Sequence, residues 1–419
     1  MKKLHMRLRL LTVLLLLLTM PAWAQTAQTD TTTTAHNNTN DDDEAMMGEA
    51  NLPWPLGMQA SLDSMMRHPL LDYTQIGLMV WDLTDNRSLF ACNHRQLLRP
   101  ASTMKVLTAV TALDVLGGDY RFTTSLYYKG EIRGRTLWGD LYCVGGMDPA
   151  FSRDDLREFA EDLRRVGIDT ISGRVVADVS MKDTLKWGEG WCWDDKNPTL
   201  TPLLVERKDG FTAQFINAMT GRGVTLRDVS LAEGVLPKDA VLISQRQRTI
   251  DQILERMMKD SDNLYAEAVY YQIAAREGRG ARALYAQRQQ RALMERAGLN
   301  SSRYRLADGS GLSLYNYLSA EAETMVLRYA FLRPAVYSHL AASLPVAGVD
   351  GTLKKRMKGT PAEGNVRAKT GTLTGIISLA GYCTAANGHL LCFAIINQGV
   401  QSAREARDFQ DRVCTILCR

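Results

Sequence analysis

The chain has 419 residues, 45% hydrophobic and 23% charged, ordinary globular usage that excludes a wholly disordered chain or a fibrous repeat. At about 100–200 residues per domain, this length predicts two or three domains. Lys and Arg number 50 against 46 Asp and Glu, and four of the basic residues (Lys2, Lys3, Arg7, Arg9) precede Leu10; the remainder is balanced, which excludes the basic footprint of a nucleic-acid or anionic-membrane binder.

The basic start, an apolar run from Leu10 to Met20 and then Ala22-Trp23-Ala24 form the pattern of a secretory signal peptide over residues 1–24, cut after Ala24. The run is about half of the ~20 residues a membrane span needs, so the pattern predicts export across the inner membrane to the periplasm, with no stable span. Residues 25–54, rich in Thr, Asn and Asp, read as a disordered tether. A helix is expected near Met58–Met66, and strands at Ile76–Leu83 and Ser88–Cys92 form a hairpin through Thr84-Asp85-Asn86. From Ser102, apolar residues at Val106, Leu107, Val110, Leu113 and Leu116 make a helical stripe closed by Gly117-Gly118.

Residues 127–241 have a different texture of short strands, glycines and one clear helix (Asp154–Val166), and read as an inserted mixed α/β domain. Residues 55–126 and 242–419 then form the main domain. Three helices follow the insertion, at Ile250–Lys259, Leu264–Arg276 and Ala281–Ala297. Strands are expected at Val366–Gly371, Ile376–Cys383 and Leu390–Asn397, and a last amphipathic helix at Ala403–Leu417. Strands near both ends with helices between them predict an α+β fold, an antiparallel sheet flanked by helices.

Three short motifs carry chemistry. Ser102-Thr103-Met104-Lys105 puts a hydroxyl and an amine three residues apart at a helix start, on one face, where a desolvated lysine can act as the base for a serine nucleophile. Free N–H groups at such a helix end suit a developing oxyanion. Alone the spacing is weak, since it arises by chance about once or twice in a chain this long. Ser261-Asp262-Asn263 falls at a helix junction, where Ser or Asp also serves as a routine N-cap. Lys369-Thr370-Gly371 falls on a strand, where an edge lysine is commonly a solvated guard. All three in this order are the signature of penicillin-binding proteins and class A β-lactamases.

With Gly145-Gly146-Met147-Asp148-Pro149, Gly190–Asp195, Asp308–Ser313 and Ser343–Gly348 added, the chain resembles the D-alanyl-D-alanine carboxypeptidase/endopeptidase family of low-molecular-mass penicillin-binding proteins with an insertion after Ser-x-x-Lys. The resemblance runs from about residue 70 to the end, and implies a penicillin-binding/β-lactamase-like transpeptidase fold and peptidoglycan stem peptides as substrate. Thr201–Lys208 departs from the family's small, Asn-containing segment. By resemblance Ser102 attacks the penultimate D-alanine carbonyl, Lys105 takes its proton, Ser261 relays it toward the leaving amine and Asn263 holds the substrate amide. Lys369 and Thr370 would bind the terminal carboxylate, the N–H groups of Ser102 and Thr372 would form the oxyanion hole, and Gly371 would admit the substrate backbone. Asp195, in the Trp193-Asp194-Asp195 run, is a candidate contact for a cationic diaminopimelate centre. β-Lactams are implied as covalent inhibitors.

The alternatives are a β-lactamase, or a non-catalytic peptidoglycan-binding or penicillin-sensing protein. Glu295 with Leu299-Asn300 is one residue too widely spaced for the class A Glu-x-x-Leu-Asn, and a pure binder has no use for Ser102, Lys105, Ser261 and Lys369 together. The six histidines show no metal spacing and no cofactor is implied. Ser310 lacks the first glycine of a Gly-x-Ser-x-Gly elbow and reads as a structural turn. Trp187, Trp191 and Trp193 read as packing or groove-lining residues. Seven cysteines are too sparse for a disulfide scaffold. A two-residue turn at Asn387-Gly388 would set Cys383 opposite Cys392, with Cα atoms ~4.5 Å apart, close enough for a disulfide.

Overall fold

The computed structural model describes residues 52–278 and 280–419; residues 1–24, expected to be a signal peptide, and residues 25–51 of the expected tether lie outside them. In chain order, the first half comprises α1 (Leu56–Met65), β1 (Gln75–Asp82), β2 (Arg87–Cys92), α2 (Met104–Leu116), β3 (Arg121–Arg133), β4 (Thr136–Val144), α3 (Arg153–Arg165), β5 (Thr170–Ser172), β6 (Arg174–Asp178) and α4 (Phe211–Gly221). Then come β7 (Thr225–Leu226), β8 (Ser230–Glu233), β9 (Val241–Thr249), α5 (Ile250–Lys259), α6 (Asn263–Ala275), α7 (Ala283–Arg296), α8 (Ala320–Phe331), α9 (Pro334–Ser343), β10 (Arg367–Leu373), β11 (Ile376–Thr384), β12 (Leu390–Gln398) and α10 (Ala403–Leu417).

The first sheet has the order β10-β11-β12-β1-β2, every pairing antiparallel. Strands from both ends of the chain therefore meet at its centre, where Val80 pairs with Phe393. One face packs with α1 and α10, burying Leu62, Leu78, Phe393, Phe409 and Val413. The other packs with α2 and the helices that follow the second sheet, burying Val110, Ile253, Val269, Leu327 and Ala394. Because both faces are covered, β11 and β12 are almost continuously buried rather than alternating. For the same reason α2 is buried along its whole length from Met104 to Leu113, so the apolar stripe of the sequence understates its central position.

Sequence periodicity gave no helix between residues 318 and 345, where α8 and α9 lie. α8 turns Glu323 and Thr324 inward together with Ala322, Val326 and Leu327, which blurs the apolar stripe that such reasoning needs. At the N-terminal end, Leu52–Trp54 of the segment read as a tether are placed, with the Trp54 ring centroid 4.3 Å from that of His389.

The second sheet draws on residues between Arg121 and Thr249. Its order is β7-β5-β4-β3-β9, with β6 beside β4 and β8 beside β6. β3 pairs antiparallel with β4 and β9, whereas the β4–β5, β4–β6, β5–β7 and β6–β8 pairings are parallel. α3 and α4 pack with it around Phe159, Leu163, Phe211 and Phe215. α3 starts with a reciprocal cap in which Ser152 Oγ accepts from Asp155 N and the Asp155 carboxylate accepts from Ser152 N. Tyr127 and Val241, the limits suggested by sequence texture, sit inside the paired strands β3 and β9.

The β11–β12 hairpin corrects one sequence expectation. Ala385 N donates to His389 O and Gly388 N to Ala385 O, both at 2.9 Å, with Gly388 in the left-handed region at φ +88°. Ala386, Asn387 and Gly388 therefore form a three-residue loop, a turn closed by a left-handed glycine. The extra residue shifts the register by one, pairing Cys383 with Leu391 and Cys392 with Tyr382. A one-residue shift exchanges faces: Cys383 packs on the α10 side and Cys392 on the opposite side. Oxidation should accordingly leave Cys383 and Cys392 unlinked; a non-reducing peptide map showing that bridge would contradict this register.

Candidate active site

Ser102 lies in a single 3-10 turn, Ala101–Thr103, that runs straight into α2. The preceding Ala101 is left-handed at φ +50°, a conformation that costs a residue with a Cβ about 1–2 kcal/mol. Surrounding contacts hold it there. Gly311, itself at φ +78°, approaches so closely that a Cβ on it would stand 1.8 Å from Ala101 O. The strain thus sits at the corner that presents the Ser102 hydroxyl, as backbone strain at functional corners often does.

One helical turn later, Lys105 is fully buried. Its Nζ lies 2.9 Å from Ser102 Oγ, 2.8 Å from Asn263 Oδ1 and 2.7 Å from Ser310 O. As an ammonium it donates to all three. As a neutral amine it can keep Asn263 and Ser310 as acceptors and aim its lone pair at the Ser102 hydroxyl, the geometry of a general base. Burial pushes this amine down to about 8, against the opposing pull of Asp308, Glu267 and Asp262.

The second motif forms the start of α6. Asp262 caps it by accepting from Leu264 N at 3.0 Å, Asn263 is its first residue, and Ser261 is left-handed at φ +58°. Across from it, Lys369 on β10 is fully buried and donates to Ser261 Oγ at 2.8 Å and Thr370 O at 2.7 Å. Burial and the Lys105 charge hold the Lys369 amine well below its usual value. Thr370 Oγ1 donates to Thr352 Oγ1 at 2.7 Å. β10 ends the sheet order, and Thr372 is exposed on it. Gly371 is required by close packing: a Cβ there would stand 2.0 Å from Ser378 Oγ and 3.0 Å from Ser102 N. The three motifs, spread over more than 260 residues of sequence, converge on one polar cluster in which two lysines each bind a serine.

The Asp308–Ser313 loop supports Lys105 from below. Glu267 Oε1 accepts from Gly309 N at 3.1 Å and Ser310 N at 2.8 Å, orienting the Ser310 carbonyl that receives the Lys105 amine. Burial first, and the Asp308 charge second, push Glu267 up to about 8. Asp308 accepts from Gly311 N, Ser313 N and Asn316 Nδ2, and from Trp191 Nε1 at 2.9 Å, which ties the 187–195 segment to this loop. Asp195 makes no hydrogen bond to the cluster: it lies in an exposed turn where its N donates to Cys192 O, and its carboxylate accepts no hydrogen bond among the described residues. Trp187 and Trp193 are exposed. Glu295 is occupied at the end of α7, accepting from Ser301 N at 2.9 Å.

Sequence reasoning missed Glu267, Glu323 and Arg207. The first two look like ordinary helical acids; their burial depends on neighbours more than 40 residues away. Arg207 falls in the segment that departs from the family pattern. Glu206 and Arg207 are both left-handed (φ +48° and +70°) in a tight turn closed by Val205 and Lys208. That turn delivers the guanidinium to Asp262 as a fork, Nη1 to Oδ2 at 2.5 Å and Nη2 to Oδ1 at 3.1 Å. Adjacent left-handed residues without glycine were the available signal, and they are invisible without coordinates.

The sequence profile of the D-Ala-D-Ala carboxypeptidase 3 (S13) family matches residues 58–205 and 204–419. The D-alanyl-D-alanine carboxypeptidase of an Actinomadura species is 28% identical over 443 aligned positions, covering 82% of this chain and 81% of that protein. Carboxypeptidase DacB of Mycolicibacterium smegmatis is 29% identical, covering 86% and 84%. The crystal structure of penicillin binding protein 4 (dacB) from Haemophilus influenzae superposes with a TM-score of 0.76 at 22% identity, covering 85% of this chain and 97% of that one. The same protein in complex with a β-lactam gives 0.71 at 23% identity.

Proposed function

The chain belongs to the D-Ala-D-Ala carboxypeptidase 3 (S13) family, and from that premise we propose that it is a serine-type D-Ala-D-Ala carboxypeptidase whose acyl-enzyme forms on Ser102. The observation that carries this reading is the Lys105 amine, buried and 2.9 Å from Ser102 Oγ. Neutral Lys105 takes the Ser102 proton as Oγ attacks the carbonyl of the penultimate D-alanine. The tetrahedral oxyanion is met by the N–H groups of Ser102 and Thr372; a single such donor is worth about 3 kcal/mol in other serine hydrolases. Ser261, bound to Lys369 Nζ at 2.8 Å, relays a proton to the departing D-alanine amine. Asn263 holds the substrate amide, and Lys369 with Thr370 binds the terminal carboxylate. Gly371 leaves room for the substrate backbone along β10. Water then hydrolyses the ester.

The same chemistry serves D-Ala–diaminopimelate cross-links, which makes the protein an endopeptidase as well. β-Lactams acylate Ser102 as the peptide does. The signal pattern at residues 1–24 supports export to the peptidoglycan compartment, and no helix of the described residues is long and apolar enough to cross a membrane. The 1–24, 25–54 and 127–241 divisions give an exported, tethered catalytic domain carrying an inserted domain. The test is incubation with a defined pentapeptide and a cross-linked muropeptide, with products identified by mass spectrometry: release of D-alanine from the first and monomers from the second is expected, and no cleavage of either contradicts the reading.

Asp195 contributes to specificity in this reading, its exposed carboxylate meeting the free amine of a diaminopimelate side chain. Asp195→Ala should lower kcat/KM for amine-bearing peptides by about 5- to 10-fold, the scale of one exposed charge-assisted contact, and leave simple acyl substrates unchanged. Equal loss on both substrates would contradict it.

A further inference from the structure

Beside the nucleophile corner lies a carboxyl group that the acylation chemistry does not use. Glu323, on α8, is 3% exposed. Its Oε1 lies 2.5 Å from Thr103 Oγ1, and its Oε2 has no hydrogen-bond partner among the described residues. Among the described residues no charged group compensates it. The cations on the elements around it are engaged elsewhere: Lys105 with Asn263 and Ser310, Lys369 with Ser261, Arg296 with Asp114, and Arg95 with Glu321.

The protons around this group can be counted. The Pro100 carbonyl lies 2.7 Å from Thr103 Oγ1 and 2.5 Å from Ser378 Oγ, and the two hydroxyl oxygens are 3.3 Å apart. Each hydroxyl has one proton, and both are used if both bind Pro100 O. Nothing then remains between Thr103 Oγ1 and Glu323 Oε1, although the two oxygens are within hydrogen-bond reach and would repel as two acceptors without a proton between them. If Thr103 turned its proton to Glu323 instead, an ionised carboxylate would be buried with one donor, one bare oxygen and no counter-charge, a costly arrangement for such a group. Burial pushes this carboxyl up to about 8, opposed only by the Thr103 hydrogen bond.

We propose that Glu323 is a positioning residue kept as a neutral acid: its O–H donates to Thr103 Oγ1, which leaves the Thr103 hydroxyl free to hold the Pro100 carbonyl. That carbonyl immediately precedes the left-handed Ala101. The same nest touches the substrate strand, since a Cβ on Gly371 would meet Ser378 Oγ at 2.0 Å and Pro100 O at 2.8 Å. Glu323 thus acts on Ser102 through two hydrogen bonds, to Thr103 and from Thr103 to Pro100 O, and the backbone, touching no substrate. The kinetic consequence rests on Ser102 being the nucleophile; the protonation state does not.

Two measurements on the full chain test this. Difference infrared spectra at neutral pH, wild type minus Glu323→Gln, should show loss of the carbonyl stretch of a protonated carboxylic acid; loss of an ionised-carboxylate stretch instead overturns the proposal whatever Ser102 does. In acylation by benzylpenicillin, Glu323→Gln retains an N–H donor for Thr103 and should keep the acylation rate constant within about threefold, whereas Glu323→Leu should lose about tenfold, the scale of one buried hydrogen bond, in the acylation step rather than in affinity. A folded Glu323→Leu enzyme with wild-type acylation overturns it. Should that variant fail to fold, Thr103→Val removes the same link, with the same expected loss and the same overturning result.

Discussion

Ser102→Ala is expected to abolish both covalent penicillin labelling and peptide turnover, with a loss of about 10³-fold or more in kcat, since removing a nucleophile leaves only the binding and oxyanion contributions. A β-lactam presents its carboxylate to Lys369 and Thr370 as the D-Ala-D-Ala terminus does, and its ring-opened acyl group stays on Ser102 because no amine departs. Deacylation should be slow. The glutamate nearest the class A spacing, Glu295, is spent on Ser301 N at the end of α7 and is not directed at an acyl ester. Peptide mapping after benzylpenicillin treatment should find one adduct, on Ser102. A label on another residue, or an unimpaired Ser102→Ala enzyme, would refute the assignment, and rapid multiple turnover of penicillin would make the protein a β-lactamase.

Lys105→Ala should cost nearly as much, and the Ser102→Ala/Lys105→Ala double variant no more than either alone, because groups that act as a unit are non-additive. Lys105 also sets the pH dependence. The base must be unprotonated, burial holds its amine at about 8, and the neutral fraction falls about tenfold for each pH unit below that value. The acylation rate constant should therefore rise with pH up to about 8 and level off above it. Stopped-flow acylation by a chromogenic β-lactam across this range measures the limb. Persistence of the same limb in Lys105→Ala would assign it to another group, the first candidate being Glu267, which burial pushes up to about 8 beside the Ser310 carbonyl.

The legibility of this molecule followed the range of the interactions. Ser102, Lys105, Ser261, Asn263 and Lys369 carry spacing within a helix turn or a strand, and in the structure Lys105 binds Ser102 and Asn263 while Lys369 binds Ser261. Helices α5 and α10 have one polar face and were read to the residue. α8 was not, because a buried Glu323 and Thr324 look polar in sequence while their environment is supplied by residues far along the chain. The β11–β12 register failed on a single loop residue: Asn387-Gly388 is a strong two-residue turn signal, yet Ala386 joins the loop and Gly388 supplies its left-handed closing position. Arg207 was illegible for a different reason, since its contact with Asp262 comes from two strained backbone positions rather than from any residue-type pattern.

The placement of β1 in the interior of the first sheet, between β12 and β2, has a consequence for how the chain reaches its fold. β1 is complete within the first fifth of the sequence, but one of its two partners, β12, lies more than 300 residues later. During synthesis the N-terminal strands can form only the β1–β2 hairpin, and a lone two-stranded hairpin is marginal in water. Loop-closure entropy grows only slowly with separation, so the delay costs little at equilibrium. It costs time: high contact order slows folding, and Leu78 and Val80, fully buried in the finished protein, stay open to other chains until the last strand arrives. The strained corner at Ser102, which packs against β10 through Gly371, is therefore among the first parts synthesised and among the last to become rigid.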